Sequence, residues 1–347
     1  MRTQPKKPIP ADVKFGTLFT EHMVSARFDV DSGWSAPELS KYQKLSIDPS
    51  ASVLHYGQAI FEGCKAFETA DGGIALFRPD RHAARFQNSA DRTCMPRVPE
   101  ALFLDCVERL VRADEGYVPS AQDTSLYLRP TLIATEPFLG VRPARQYLFF
   151  VIACPVGAYY SEGFQPVSIW VEEEFTRASP GGLGGAKVGA NYVASLLAAE
   201  RAKDAGYAQV LWTDAVSHRY IEEVGTMNVF ARVGDQVVTP PSGSTALAGV
   251  TRDSVLTLLR EWGFDAQERP LAIDELVQAS RRGQLHELFG TGTGAVISPV
   301  GKLGFRGETL QIGDGKPGEL SQRLFQALRE IQRGSVADRY GWLHKVV

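Results

Sequence analysis

The chain has 347 residues, 44% apolar and 22% charged. That is the balance of a soluble globular protein, and the length exceeds one ordinary hydrophobic core, so two domains are expected. A net charge of -3 offers no basic face for nucleic acid and leaves small molecules or other proteins as partners.

Residues 1–20 read as a loose arm; residues 1–10 are polar, hold three prolines and lack the apolar run of a signal peptide. Polar and apolar residues mix as in a strand from Met23 to Val30. Lys65–Glu68 and Gly73–Phe77 are strand candidates turning at Asp71-Gly72-Gly73. Pro79 and Asp80 open a helix that runs to about Cys94, where Pro96 stops it. A second helix covers Pro99–Ala113, with Leu102, Cys106, Leu110 and Val111 on one face. Ser125–Ala134 and Gln146–Ala153 read as buried strands.

The stretch from Cys154 to Pro166 holds Pro155, Gly157, Gly163 and Pro166 and breaks this rhythm. The expected division is a small N-terminal α/β domain over 1–157, a linker over 158–166 and a larger C-terminal cofactor-binding domain over 167–347. Beyond the linker come a strand at Val167–Glu172, the glycine run 180–185 and a helix at Asn191–Asp204 closed by Gly206. Strands return at Ala208–Trp212, Met227–Val233 and Gln236–Thr239. Helices follow at Thr251–Trp262 and Pro317–Arg333. Strands and helices mix without strict alternation, so the fold class is α+β or irregular α/β.

Lys187 stands first among candidate chemical groups. It sits in Gly184-Gly185-Ala186-Lys187-Val188-Gly189, among small and apolar neighbours. A lysine attacks a carbonyl only after losing its proton, and desolvation favours that loss. An ordinary exposed loop lysine is the alternative. A dinucleotide fingerprint is a poor match for the same glycines, because the frame from Gly182 and Gly184 puts lysine at position 187 and no acidic residue follows near Gln209. Glu223, at the mouth of a strand, suits the task of keeping a pyridine nitrogen protonated. At most one of Glu222 and Glu223 faces a pocket, since strand neighbours point oppositely. Phosphate donors are available at the helix start Gly249-Val250-Thr251, in the loop Gly290-Thr291-Gly292-Thr293-Gly294, and on Arg85. Each of these alone also fits a plain turn or helix cap. Tyr56, Phe61, Tyr127, Tyr159 and Tyr192 lie beside glycine-rich or loop segments, where core packing is the common role of aromatics.

The cysteines Cys64, Cys94, Cys106 and Cys154 form neither a CxxC pair nor a metal-ligand spacing with histidine, and no metal is expected. A reduced, cytoplasmic setting fits them. No stretch reaches the roughly 20 apolar residues of a membrane span.

Together these segments resemble the branched-chain amino acid aminotransferases of the fold-type IV pyridoxal-phosphate enzymes, over nearly the whole chain. The resemblance is carried by Leu54-His55-Tyr56 with Phe61-Glu62-Gly63, Leu76-Phe77-Arg78-Pro79, Leu126-Tyr127-Leu128-Arg129-Pro130, Cys154-Pro155-Val156-Gly157-Ala158-Tyr159, Lys187-Val188-Gly189-Ala190-Asn191-Tyr192, Glu223-Val224-Gly225-Thr226-Met227-Asn228 and Gly292-Thr293, in the family's order. It implies two mixed α/β domains with the active site at their interface, and pyridoxal 5'-phosphate as cofactor. It implies that Lys187 forms the internal aldimine and then moves the α-proton. Tyr192 would donate to the cofactor's phenolic oxygen and Glu223 would pair with the pyridine nitrogen. Arg85, Thr293 and the amides of Val250 and Thr251 would hold the phosphate.

For the substrate, the amides of Thr293 and Gly294 would receive the carboxylate, and Phe61, Tyr127, Tyr159 and Thr226 would line the side-chain pocket, with Thr226 also touching the cofactor. Arg129 would meet the distal carboxylate of glutamate. Tyr56 and the loop with Leu139 and Val141 would reach a neighbouring subunit's site, which implies a homodimer. The implied reaction is a reversible ping-pong transfer of the amino group between L-leucine, L-isoleucine or L-valine and 2-oxoglutarate. D-amino-acid aminotransferases and aminodeoxychorismate lyases share the fold and the lysine and are the alternatives. Two positions depart from the family pattern. Ala295 and Ser298 stand where mammalian members have a CxxC pair, and Gly294 stands where many members have alanine.

Overall fold

The computed structural model describes residues 4–10, 13–157 and 164–347. Contacts divide the chain into two compact units. One holds residues 1–159, 186–189 and 329–347; the other holds 160–185 and 190–328. Tyr159 and most of the expected linker lie outside the described residues.

The first unit is built on an antiparallel sheet. Its strands run in the order Leu343–Lys345, Ile74–Phe77, Cys64–Glu68, Ser125–Ala134, Gln146–Val156, His22–Asp29 and Gly33–Trp34. Glu38–Lys41 pairs beside His22–Asp29, and Ala59–Phe61 beside Ser125–Ala134. Ser125–Ala134 keeps the expected bounds, because it is a central strand buried along almost its whole length. The turn at Asp71-Gly72-Gly73 forms as expected, with Gly72 at φ +81° and Thr69 N donating to Gly73 O at 3.0 Å. The expected second domain ran to residue 347. The last strand instead pairs antiparallel with Ile74–Phe77 and returns the C-terminus to the first sheet.

Helices Pro79–Arg92 and Glu100–Ala113 belong to this unit. The first ends two residues before the expected Cys94. Cys94 takes a left-handed φ of +53°, and Met95 N donates to Ala90 O at 2.9 Å, so the chain turns off the helix before Pro96. In the second helix Phe103 is fully buried where Leu102 was expected, and Leu102 is half-buried. Phe86, Phe103 and Phe149 make the aromatic centre, with ring centroids 5.5–6.1 Å apart.

The second unit holds a mixed sheet whose pairings close on themselves: Ile221–Val224, Gln209–Thr213, Val167–Glu172, Val296–Phe305, Leu285–Gly292 and Met227–Val233, then back to Ile221–Val224. Closure removes edges that would otherwise expose unpaired backbone groups. Gln236–Thr239, Asp265–Glu268 and Glu308–Gln311 extend it. The long strands Leu285–Gly292 and Val296–Phe305 escaped the sequence reading because they carry Gly290, Gly292, Pro299, Gly301 and Gly304, which read as turn residues. Here those glycines serve packing: a Cβ on Gly304 would overlap the Tyr207 ring.

The helix expected at Asn191–Asp204 is two pieces, Gly189–Val193 and Leu196–Asp204. Between them Ser195 donates from both its amide and its hydroxyl to Tyr192 O, at 3.2 and 2.7 Å, which tightens the turn and breaks the helical register. The last helix starts at Glu319, where the buried Glu287 carboxylate accepts the amides of Leu320 and Ser321, both at 2.9 Å. Among the described residues no helix is long and apolar enough to cross a membrane.

Replacing Phe149 with alanine removes a fully buried ring from the first core. We expect a loss of about 3–5 kcal/mol of stability, read as a lower denaturant midpoint with an unchanged slope.

Candidate active site

The segment 186–189 belongs to the first unit. Ile60 and Val188 form a β-bridge, and Phe61 N donates to Lys187 O at 3.0 Å. On the other side Lys187 N donates to the buried Ser89 hydroxyl at 2.9 Å. The Lys187 main chain is therefore pinned at both its amide and its carbonyl. Its side chain is half-buried, with Nζ 4.9 Å from the centroid of the Phe61 ring. The Arg129 guanidinium lies 4.7 Å from the same ring and 5.3 Å from that of Tyr127. Arg129 Nη2 donates to the Tyr127 hydroxyl at 3.1 Å. Burial pushes that hydroxyl up to about 12 despite the neighbouring guanidinium. Gly63 is required here, since a Cβ would overlap the Tyr127 hydroxyl.

Arg85 is buried and held by Glu62. Nε donates to Oε1 at 2.6 Å and Nη2 to Oε2 at 2.9 Å. Glu62 has no solvent exposure and also accepts from Gly63 N at 3.1 Å, with His82 Nδ1 at 2.9 Å. Burial alone raises a carboxyl; the Arg85 charge and the Arg85 and His82 hydrogen bonds outweigh it and hold Glu62 well below the usual carboxylate range. Burial lowers His82, against the pull of Glu62. Ser89 was not singled out in the sequence, and Glu62 stood there only as part of Phe61-Glu62-Gly63, without a role. The signal for Ser89 was spacing: His82, Arg85 and Ser89 fall on one helical face. The Tyr56 hydroxyl donates to Leu139 O, and Tyr56, Leu139 and Val141 are exposed, Val141 to 86%.

The second unit gathers another set. Glu223 is buried on strand Ile221–Val224. Its Oε1 accepts from Asn228 Nδ2 at 3.1 Å and Leu247 N at 2.8 Å, and its Oε2 lies 3.0 Å from Arg177 Nε. Arg177, which the sequence reading passed over, also donates to Gly184 O at 3.3 Å and Thr245 O at 2.6 Å, tying the glycine run to a second loop. Cross-strand register sets Glu223 opposite Asn228 and Asn228 opposite Thr291. The Thr291 hydroxyl is buried without a hydrogen-bond partner among the described residues. A Cβ on Gly249 would overlap the Asn228 amide, which puts the helix start at Val250 and Thr251 against the same side chain. Glu222 is buried as well, and burial raises its carboxyl.

Thr293 and Gly294 sit half-buried in the turn after strand Leu285–Gly292. Thr226 is exposed in the turn before Met227, and Tyr192 is half-buried on Gly189–Val193. The expected residues thus fall in two groups: Lys187, Phe61, Tyr127, Arg129 and Arg85 in the first unit, and Glu223, Val250 and Thr251 in the second, beside Thr291 of the glycine-threonine segment.

Taken unit by unit, a lysine pinned at its main chain in the first, and in the second a buried carboxylate paired with an arginine, a helix start and an unsatisfied buried hydroxyl, are group types whose chemistry fits the aldehyde, ring nitrogen and phosphate of a phosphorylated pyridine aldehyde. The family model of the class IV amino-transferases matches residues 59–303. The chain belongs to this family and has its fold-type IV architecture. Branched-chain-amino-acid aminotransferase 2 of Bacillus subtilis is 47% identical over 99% of this chain and 95% of its own length. The branched-chain amino acid aminotransferase of Escherichia coli is similar in structure at 27% identity, over 94% of this chain and 100% of that one, with a TM-score of 0.79. A branched-chain amino acid aminotransferase of T.th., solved with pyridoxamine 5'-phosphate, is similar at 28% identity, over 95% of this chain and 100% of that one, with a TM-score of 0.79.

Lys65, across the ladder from Tyr127, is a buried lysine that burial pushes down to about 8. The unfolded chain binds this proton until about pH 10.4. Between about pH 8 and 10.4 the unfolded state therefore holds more protons, and stability gains from Lys65 as pH rises. Lys65→Met removes this contribution. We expect the variant's stability advantage near pH 7 to shrink by about 3 kcal/mol by pH 10.4 in denaturant titrations of the two proteins.

Proposed function

We propose that this protein is a pyridoxal-phosphate-dependent branched-chain amino acid aminotransferase, exchanging the amino group reversibly between L-leucine, L-isoleucine or L-valine and 2-oxoglutarate. The observation that carries the reading is the Lys187 main chain held on both sides, with its amine set against Phe61. The names of the relatives and the family membership support it.

Pyridoxal phosphate, when bound, supplies an aldehyde that takes up amino groups and a ring that withdraws electrons. Lys187 Nζ would hold the aldehyde, and the same amine would move the proton at the substrate's α-carbon. Its fixed main chain limits where that amine can reach. Glu223 keeps the ring nitrogen protonated. Asn228 and the Leu247 amide donate to its carboxylate and the Arg177 guanidinium forms an ion pair with it, so it stays ionised and in place. Tyr192 donates to the ring's phenolic oxygen. Arg85, Thr293 and the amides of Val250 and Thr251 hold the phosphate.

The amides of Thr293 and Gly294 take the substrate carboxylate. Phe61, Tyr127 and Thr226 would line its side-chain pocket. An apolar wall separates substrates differing by one methylene by only about 1–3 kcal/mol, so the three branched-chain amino acids are all accepted. Glutamate needs a partner for its distal carboxylate, because burying one unpaired is costly. Arg129 with the Tyr127 hydroxyl provides that partner. The unit of function is a homodimer in which exposed Tyr56, Leu139 and Val141 face the second copy's site. The protein works in the cytoplasm; its four unpaired cysteines suit a reducing compartment.

The test is the visible absorption spectrum of the protein loaded with pyridoxal phosphate. We expect L-leucine to bleach the yellow band and 2-oxoglutarate to restore it. A band that ignores L-leucine but answers D-alanine would refute the substrate class. Lys187→Ala is expected to lose turnover by at least about a thousandfold in a leucine–2-oxoglutarate assay, since one amine performs both tasks. Glu223→Ala is expected to lower turnover more than it weakens cofactor retention on dialysis.

A further inference from the structure

The contacts around Lys187 and Arg85 form a closed ring. Lys187 N donates to Ser89 Oγ at 2.9 Å, and the Ser89 hydroxyl donates to Arg85 O at 3.1 Å, one turn back on the same helix. The Arg85 side chain is clasped by both oxygens of Glu62. Glu62 follows Phe61, whose amide donates to Lys187 O at 3.0 Å. Ser89 and Glu62 have no solvent exposure, so water cannot replace either contact. A two-point clasp also fixes the plane of a guanidinium, which one hydrogen bond cannot do.

We propose that Ser89 and Glu62 are positioning residues: together they lock the main chain of Lys187 and the guanidinium of Arg85 into one frame, so that the covalent anchor and the phosphate clamp of the cofactor keep a fixed separation. The proposal rests on the functional reading above, in which Lys187 and Arg85 meet the cofactor's two ends. Neither residue is given a cofactor contact in that reading. Ser89 acts through the Lys187 amide, and Glu62 acts through Arg85. The two should therefore fail differently. Loosening Arg85 matters only for a ligand with a phosphate. Loosening Lys187 matters for any pyridine aldehyde.

The experiment compares binding of pyridoxal phosphate and of pyridoxal, by absorbance titration of the full-length protein, in the wild type, Glu62→Gln and Ser89→Ala. In Glu62→Gln we expect affinity for pyridoxal phosphate to fall about tenfold or more, the scale on which supporting contacts act, with affinity for pyridoxal unchanged. In Ser89→Ala we expect both affinities to fall by about the same factor. Equal losses for both ligands in Glu62→Gln would mark a merely structural carboxylate and overturn its role. Binding of both ligands by Ser89→Ala within twofold of wild type would overturn the frame. Should Glu62→Gln fail to fold, Ser89→Ala decides, since it removes one oxygen and no charge. A wild-type protein that takes up no pyridoxal phosphate would overturn the functional reading itself, whereas normal uptake with unaffected variants would overturn this proposal alone.

Discussion

A carboxylate sealed from water must find its charge balance inside the protein, and Glu62 finds it in Arg85, with the His82 ring adding a hydrogen bond. Much of the first unit's arrangement follows from that requirement. Glu62 leaves strand Ala59–Phe61 as it pairs with Ser125–Ala134, so the sheet fixes where the negative charge lies. The helix Pro79–Arg92 must then turn the face carrying residues 82, 85 and 89 toward it. Its opposite demand, burial of Phe86 against Phe103 and Phe149, is met on the same helix. Removing one partner of such a pair leaves a buried charge unmatched, at about 3–5 kcal/mol. The constraint fixes orientation more than it adds stability.

The second unit uses the same device. Glu223 is neutralised by Arg177, which also reaches two backbone carbonyls on separate loops. The closed run of strands supplies rigidity, and the side-chain register across Glu223, Asn228 and Thr291 puts polar groups on one level of it. In both units a candidate chemical residue is held by a buried ion of opposite sign. That is how side chains stay in one rotamer without support from bulk packing.

Regular elements with clean periodicity were legible in the sequence. Ser125–Ala134, Val167–Glu172, Met227–Val233 and Gln236–Thr239 keep their expected bounds. Leu285–Gly292 and Val296–Phe305 were not, because glycines chosen for close packing look like turn residues until the neighbour is known. The return of Leu343–Lys345 to the first sheet is a long-range pairing that no local pattern announces. The candidate site divides in the same way. Lys187 and Glu223 stood out by their glycine-rich and strand-end settings. Ser89, Glu62 and Arg177 act through contacts between residues far apart in the chain, for which a single sequence gives only helical spacing as a hint. Thr291 was seen as part of a glycine-threonine loop, yet it lies in a strand, buried.

The account depends on Lys187 being the residue that carries the cofactor. Borohydride reduction of the pyridoxal-phosphate-loaded protein, followed by proteolysis and mass spectrometry, tests this directly. The account predicts a phosphopyridoxyl group on the peptide that contains Lys187 and on no other lysine in comparable amount. Labelling of Lys65, the buried lysine whose charge is weakened by its surroundings, with Lys187 unmodified, would contradict it.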